Sequence, residues 1–97
     1  MTKVVFLPGA DIDYAEAFIW YASESLEAAD AFESAVKTAV RRIAAAPEAW
    51  PMAKRGHRMY ILDRRFPYSL IYKVRGKVAF VTAVAHASRD PNYWRSR

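Results

Sequence analysis

The sequence predicts an α+β fold with the element order β-α-α-β-β-β, in which a helical hairpin packs on one face of a twisted four-stranded, mostly antiparallel sheet. Three patterns predict it: an early run of β-type residues, two consecutive stretches with helical periodicity, and three later runs rich in β-branched and aromatic residues. The 97 residues are 54% hydrophobic and include no cysteine. We therefore expect one domain, residues 1–97, with its own core and without disulfide or thiolate chemistry.

The first two elements are a short strand and a helix. The strand-like run from Lys3 to Leu7 is expected to end at Pro8-Gly9. Asp11 or Asp13 can cap the helix that follows. The apolar residues that recur at helical spacing, and so predict its buried face, are Ile12, Ala15, Phe18, Ile19 and Ala22, flanked by Trp20 and Tyr21.

A second helix is predicted from Leu26 to Ala46, with a break and a fresh N-cap at Ser23-Glu24-Ser25 and Pro47 as its stop. Its predicted buried face consists of Ala29, Phe32, Val36, Ala39, Val40 and Ile43. Because the break between the two amphipathic helices is so short, they should form an antiparallel hairpin.

The second half of the chain supplies the rest of the sheet. A strand is predicted from His57 to Leu62, followed by a tight turn at Asp63-Arg64 and a long hairpin. After the hairpin, Asp90-Pro91 can open a short helical turn that runs through Trp94.

The register of the long hairpin follows from its turn. If Arg75 and Gly76 are the two turn residues, Arg65 lies opposite His86. On this register one face carries Arg65, Ser69, Thr82 and His86, and the other carries Tyr68, Leu70, Tyr72 and Val81. A bulge at Gly76 would shift the pairing by one residue.

Charge is distributed unevenly along the chain. Residues 1–50 carry four cations against eight acids, a net charge of −4, whereas residues 51–97 carry eleven cations against two acids, a net charge of +9. The basic half predicts a polyanion or an acidic protein as its partner, and a solvated basic face without a partner is the alternative. We expect the sheet face opposite the helices to be concave and basic.

Several classes of protein are disfavoured. No stretch approaches the roughly 20 apolar residues of a membrane span, and no signal peptide is visible, so we expect no membrane association and a cytoplasmic location. The two histidines are far apart, which gives a weak signal for a metal, and three scattered glycines form no phosphate loop. We therefore expect neither a metal nor a cofactor.

An ordered set of segments carries a resemblance to a known family. They are Ala15 to Tyr21, the end of the second helix at Ile43 and Pro47, Arg65 to Tyr72, Ala83 to His86, and Arg89 to Trp94. Together they resemble the RelE/ParE superfamily of toxins of type II toxin–antitoxin modules, also called plasmid stabilisation proteins. The resemblance covers nearly the whole chain and is closer to ParE-like than to catalytic RelE-like members.

The resemblance implies a growth-inhibiting toxin that forms a hetero-oligomer with a cognate antitoxin, of which a partly disordered segment wraps the toxin. The basic half predicts that this segment is acidic. RelE-like members cleave messenger RNA in the ribosomal A site. ParE-like members poison DNA gyrase and have no known catalytic residues. Gyrase is favoured here because RelE-like nucleases carry arginines at the positions of Ser69 and near Ala87, and this sequence lacks both.

Two sets of site residues follow from these alternatives. For a nuclease, the candidate catalytic residues are His86, Arg65, Arg89 and Tyr93: the imidazole would transfer a proton, the guanidiniums would stabilise the phosphorane, and the phenol ring would stack on a base. For a gyrase-binding toxin, the candidate contacts are Arg64, Arg65, Arg89 and Trp94.

Each candidate also has a plain structural explanation. His86 can cap carbonyls at the end of its strand, and the arginines can bind antitoxin carboxylates. Tyr93 and Trp94 can pin the C-terminal segment to the sheet. A degenerate member that binds an antitoxin without toxicity is the third functional hypothesis.

Overall fold

The computed structural model describes all 97 residues and confirms the predicted order and layering. The elements are β1 (Lys3–Phe6), α1 (Pro8–Glu24), α2 (Leu26–Ala45), a 3₁₀ turn (Lys54–Gly56), β2 (Arg58–Ile61), β3 (Tyr68–Arg75), β4 (Val78–His86) and α3 (Asn92–Arg95). The sheet has the strand order β1-β4-β3-β2. β1 runs parallel to β4 and the other two pairings are antiparallel.

The start of α1 differs from the prediction. Pro8 does not stop the strand and leave a loop; it occupies the first turn of the helix, after Leu7 as N-cap. Proline suits this position because its fixed φ is helical and its missing N–H would have no partner there. Neither Asp11 nor Asp13 caps the helix, since both lie inside it.

The predicted buried face of α1 is also wrong in part. The buried residues are Ala10, Asp13, Ala17 and Tyr21. Ile12 is 61% exposed, Ile19 is 66% exposed and Trp20 is 56% exposed. Phe18 and Ala22 of the predicted face are partly buried against the core, and Tyr21 is buried. The fully buried stripe was not predicted, because it contains a carboxylate.

The helical hairpin and its core follow the prediction more closely. Ser25 alone separates the helices, and its side chain caps α2 by accepting a hydrogen bond from the Ala28 N–H at 3.0 Å. Five of the six predicted residues of α2 are buried, and Val40 is partly buried. Phe32 forms the centre of the core, with ring centroids 5.0 to 5.7 Å away in Tyr14, Tyr21, Phe66 and Tyr68.

The register of the long hairpin differs from the prediction. Its turn residues are Gly76 and Lys77, because Arg75 pairs with Val78. Gly76 has φ 59° while Lys77 does not have a positive φ, as in a type II′ turn, which places glycine first. A bulge farther along leaves Thr82 without a ladder partner, so the register shifts again.

These two shifts move the end of the hairpin. His86 pairs with Tyr68, and their rings meet edge to face at 4.9 Å, while Arg65 lies in the loop before β3. The predicted pairing of Arg65 with His86 is therefore wrong, and His86 shares the face of Tyr68. The prediction that Tyr68, Leu70, Tyr72 and Val81 share one face is confirmed: the last three are buried in the main core and Tyr68 packs against it.

The opposite face of the sheet is not the bare basic surface that we expected. A second, smaller core covers part of it and consists of Ile71, Ala83, Ala85 and Trp94. Trp94 belongs to the predicted helical turn at the C-terminal end, which is confirmed as α3. No helix in the fold combines the length and the apolar character needed to cross a membrane.

Candidate functional site

The loop of residues 62–67, between β2 and β3, contributes to three clefts at one end of the sheet. A cleft of about 540 Å³ beside α2 is lined by Arg42, Tyr60, Arg64 and Arg65 among others. A cleft of about 410 Å³ beside the end of α1 is lined by Trp20, Tyr21, Arg65, Pro67, Tyr68 and His86. A cleft of about 350 Å³ on the other side has His86, Arg89 and Trp94 in its lining.

Neighbouring clefts share residues, which brings most of the predicted site residues to one surface. Arg65 lines the first two clefts, and His86 lines the second and third. We call the surface formed by Arg64, Arg65, His86 and Arg89 the sheet-end surface. Arg64 has no carboxylate within 4.0 Å, and Arg65 has only the exposed Asp63 at 3.9 Å, a pairing that solvent screens strongly. The surface is therefore open and basic.

His86 is held by its own chain at the end of β4. Its Nδ1 accepts a hydrogen bond from the Ser88 N–H at 3.0 Å and lies 2.8 Å from the Ser88 hydroxyl. This bonding assigns the proton of the neutral ring to Nε2. No carboxylate lies within 4.0 Å to orient or charge the imidazole.

Arg89 and Tyr93 belong to a different arrangement, centred on the buried carboxylate of Asp13. Oδ2 of Asp13 accepts hydrogen bonds from Arg97 Nη1 at 2.9 Å, from the Val84 N–H at 3.1 Å and from the Tyr93 hydroxyl at 3.3 Å. Arg89 Nη1 lies 4.0 Å from Oδ1. We call these five residues the Asp13 cluster; it joins α1, β4 and the C-terminal segment.

The Asp13 cluster exists because β1 is shorter than β4. Ladder pairing between them reaches only Phe6 and Val81. Beyond that point the edge of β4 has no neighbouring strand, and its backbone groups need other partners. Asp13 satisfies the Val84 N–H, and Arg97 Nη1 donates to the Thr82 carbonyl at 2.9 Å.

The sequence predicted Asp13 only as a helix cap and gave no role to Arg97. The signal that points to Asp13 is its position on the same helical stripe as Ala10, Ala17 and Tyr21. A carboxylate on such a stripe requires cationic or N–H partners when it is buried. The sequence offers no way to choose Arg97 among the cations near the end of the chain.

Tyr93 is constrained on its ring and at its hydroxyl. The guanidinium carbons of Arg89 and Arg97 lie over the ring at 3.5 and 4.9 Å from its centroid. Burial, reinforced by the charge of Asp13, raises the pKa of Tyr93 to about 12. The phenol therefore stays protonated, and stacking on a base would require displacement of the arginines.

Trp94 is only 3% exposed. It packs in the second core, and the His57 ring meets it edge to face at 5.1 Å. The alternative that Trp94 pins the C-terminal segment to the sheet is confirmed. An indole buried to this extent offers almost no surface for contact with another protein.

Comparisons with known proteins agree with the fold. The family model described as "ParE toxin of type II toxin-antitoxin system, parDE" matches residues 4–91. A solved structure of the "Chromosomal ParDE TA system from P. aeruginosa" is similar with a TM-score of 0.64 and 19% identity, over 91% of this chain and 98% of that chain. At that identity the likeness shows a shared fold. No curated protein gives a significant match.

Proposed function

Because the chain belongs to the ParE toxin family of type II toxin–antitoxin systems, we propose that it inhibits growth by binding DNA gyrase and that a cognate antitoxin neutralises it. In the superfamily that the sequence resembles, the ParE-like members poison DNA gyrase. The proposal includes a cytoplasmic location, where gyrase acts on the chromosome. On this proposal the sheet-end surface binds gyrase and transfers no proton.

The observation that carries this proposal is the Asp13 cluster. Nuclease chemistry would use the Tyr93 ring to stack on a base, but the guanidiniums of Arg89 and Arg97 lie over that ring and its hydroxyl donates to Asp13. Because burial raises the pKa of Tyr93 to about 12, the phenol stays protonated near neutral pH and does not serve as a proton acceptor. Ser69 and Ala87 provide no guanidinium in place of those that RelE-like nucleases carry.

The proposed gyrase contacts are Arg64, Arg65 and Arg89. The first two are exposed residues of the loop 62–67, and the third has a side chain that is half exposed. Ile61, 70% exposed, lines clefts on both sides of the same surface. Arginines around an exposed apolar residue are typical of residues that dominate protein interfaces.

The proposed antitoxin carries an acidic, partly disordered segment and forms a hetero-oligomer with this chain. The supporting observation is the net charge of +9 in residues 51–97, which contain only two acids. An extended acidic segment can complement a surface of this kind while it orders on binding.

A RelE-like nuclease is the second candidate, because His86 and Arg65 line the same cleft in spite of the shifted register. Cleavage would depend on the imidazole as the proton-transfer group, whose removal typically costs 10²- to 10⁴-fold in rate.

Growth assays separate these candidates and test the toxin itself. Induction of the chain alone should arrest growth, and co-expression of the neighbouring reading frame should restore growth and raise soluble yield. Arg65→Glu should relieve the arrest, whereas His86→Ala should not. Arg75→Glu, which makes the same charge change at the exposed hairpin turn, is the matched control.

Two outcomes would count against the proposal. Equal growth and equal yield with and without the neighbouring reading frame would contradict a neutralised toxin. Relief by His86→Ala with the protein still folded and still bound to its antitoxin would favour the nuclease.

A further inference from the structure

An open cavity without hydrophobic residues in its lining lies between the 3₁₀ turn and α3, and we call it the polar cavity. It has a volume of about 410 Å³, and its lining residues are Lys54, Arg55, Asn92, Arg95 and Ser96. Three of these five are cations and none is an acid. No carboxylate lies within 4.0 Å of any of the three cations, so their charge is not neutralised within the chain.

The two segments that line this cavity are joined by buried contacts. His57 is fully buried; its Nδ1 lies 2.9 Å from the Lys54 carbonyl, to which it donates when protonated there. The same ring packs against Trp94 in α3 at 5.1 Å. These contacts keep the 3₁₀ turn and α3, the two segments that carry the cations, next to each other.

Two further features single out this cavity. Arg55 has φ 59° and is the only residue other than glycine in the chain with a positive φ. Such a conformation is unfavourable for a residue with a Cβ, and strained residues of this kind concentrate at binding sites. Arg95 is held by a hydrogen bond from its Nη1 to Asn92 Oδ1 at 3.1 Å, which fixes the guanidinium without compensating its charge.

We propose that this cavity binds a phosphate group. A phosphate brings several acceptor oxygens and can carry more than one negative charge, whereas a single carboxylate would leave most of the cationic charge uncompensated. The Ser96 hydroxyl and the Asn92 amide add neutral donors to the cations. The phosphate can be free phosphate or a phosphodiester of a nucleic-acid backbone, which offer the same oxygens.

This site is independent of the proposed gyrase contact. None of its lining residues belongs to the sheet-end surface or to the Asp13 cluster. A failed phosphate-binding experiment therefore leaves the gyrase proposal intact, and the reverse also holds.

The experiment is a titration of the folded 97-residue chain with two probes at constant ionic strength: inorganic phosphate, with chloride as the competing anion, and a short DNA duplex. Arg95→Gln and Lys54→Gln are made as separate variants. Lys54 is exposed, so its replacement should not disturb folding and tests the cavity even if Arg95→Gln does. Arg75→Gln is the matched control, since that guanidinium is exposed and bonds only to the carbonyl of the preceding Val74. Each cavity variant should weaken binding about 10-fold or more, as expected for the loss of a charge-assisted hydrogen bond.

The two probes also distinguish the sources. Weakened binding of both probes in the cavity variants identifies a phosphodiester as a ligand, whereas weakened binding of inorganic phosphate alone identifies free phosphate. The proposal is overturned if neither probe binds saturably, if the cavity variants bind as well as the unmodified chain, or if Arg75→Gln weakens binding as much as they do.

Discussion

At the scale of single residues, the side chain that does most to connect the fold is Asp13. Its carboxylate is buried, and it joins α1 to the open edge of β4 and to the C-terminal segment. A buried charge is tolerated only where hydrogen bonds and opposite charges compensate its desolvation. The C-terminal cations therefore have a structural role that net charge alone does not reveal.

Replacement of this carboxylate should be costly. Asp13→Ala leaves the Val84 N–H and the Arg97 guanidinium without their partner, and we expect the free energy of unfolding to fall by about 3 kcal/mol. The control is Asp11→Ala, on the same helix but at an exposed position. It should change the free energy of unfolding by less than about 0.5 kcal/mol. Chemical denaturation measures both, and equal effects would show that the Asp13 cluster contributes nothing.

The second histidine gives a prediction about pH. Burial lowers the pKa of His57 from its ordinary value of 6.5, so the imidazole is neutral in the fold at a pH where the unfolded chain already binds a proton. Stability from this residue is therefore complete above about pH 6.5 and decreases as the pH falls towards the lowered pKa.

Denaturation curves between about pH 7.5 and 5 should show this decrease. The loss of stability with falling pH should become smaller in His57→Gln. It should remain in His86→Gln, which keeps the buried imidazole. An unchanged pH dependence in His57→Gln would contradict the assignment to His57.

At the scale of elements, the two faces of the helical hairpin should differ in their effect on stability. Phe32 is fully buried among aromatic rings, so Phe32→Ala should lower the free energy of unfolding by about 3–5 kcal/mol. Ile19→Ala should cost less than about 1 kcal/mol, because that side chain is mostly exposed. A loss below about 1 kcal/mol for Phe32→Ala would show that this face of α2 is not core.

The elements themselves could be predicted from the sequence, because each depends on local patterns. Ser25 and Pro47 bound α2 correctly, and its buried face follows from periodicity. Pro8 was misread because proline both ends strands and begins helices. The predicted hairpin register was wrong for two reasons. Gly76 fits either central position of a turn, and no local sequence pattern indicates the bulge at Thr82.

The site was less predictable than the fold. The sequence predicts Arg64, Arg65 and Arg89 as candidate contacts because arginines often dominate protein interfaces. The Asp13 cluster depends on contacts between residues 84 positions apart, such as Arg97 and Asp13, which only the three-dimensional arrangement of β1 and β4 brings about.

At the scale of the whole molecule, the uneven charge becomes a division of surfaces. The basic half supplies the sheet-end surface at one end of the sheet and the polar cavity between the 3₁₀ turn and α3. The acidic half supplies α1 and α2, which cover the face of the sheet that forms the main core. The two basic surfaces are separate, and the proposals above assign the first to a protein target and the second to a phosphate group.

The most direct measurement of the central claim adds the purified chain to DNA gyrase with relaxed DNA and, in parallel, to translating ribosomes. We predict that supercoiling is inhibited, that Arg65→Glu relieves the inhibition while His86→Ala retains it, and that messenger RNA on the ribosomes stays intact. Unaffected supercoiling together with cleaved messenger RNA, and loss of that cleavage in His86→Ala, would contradict the account.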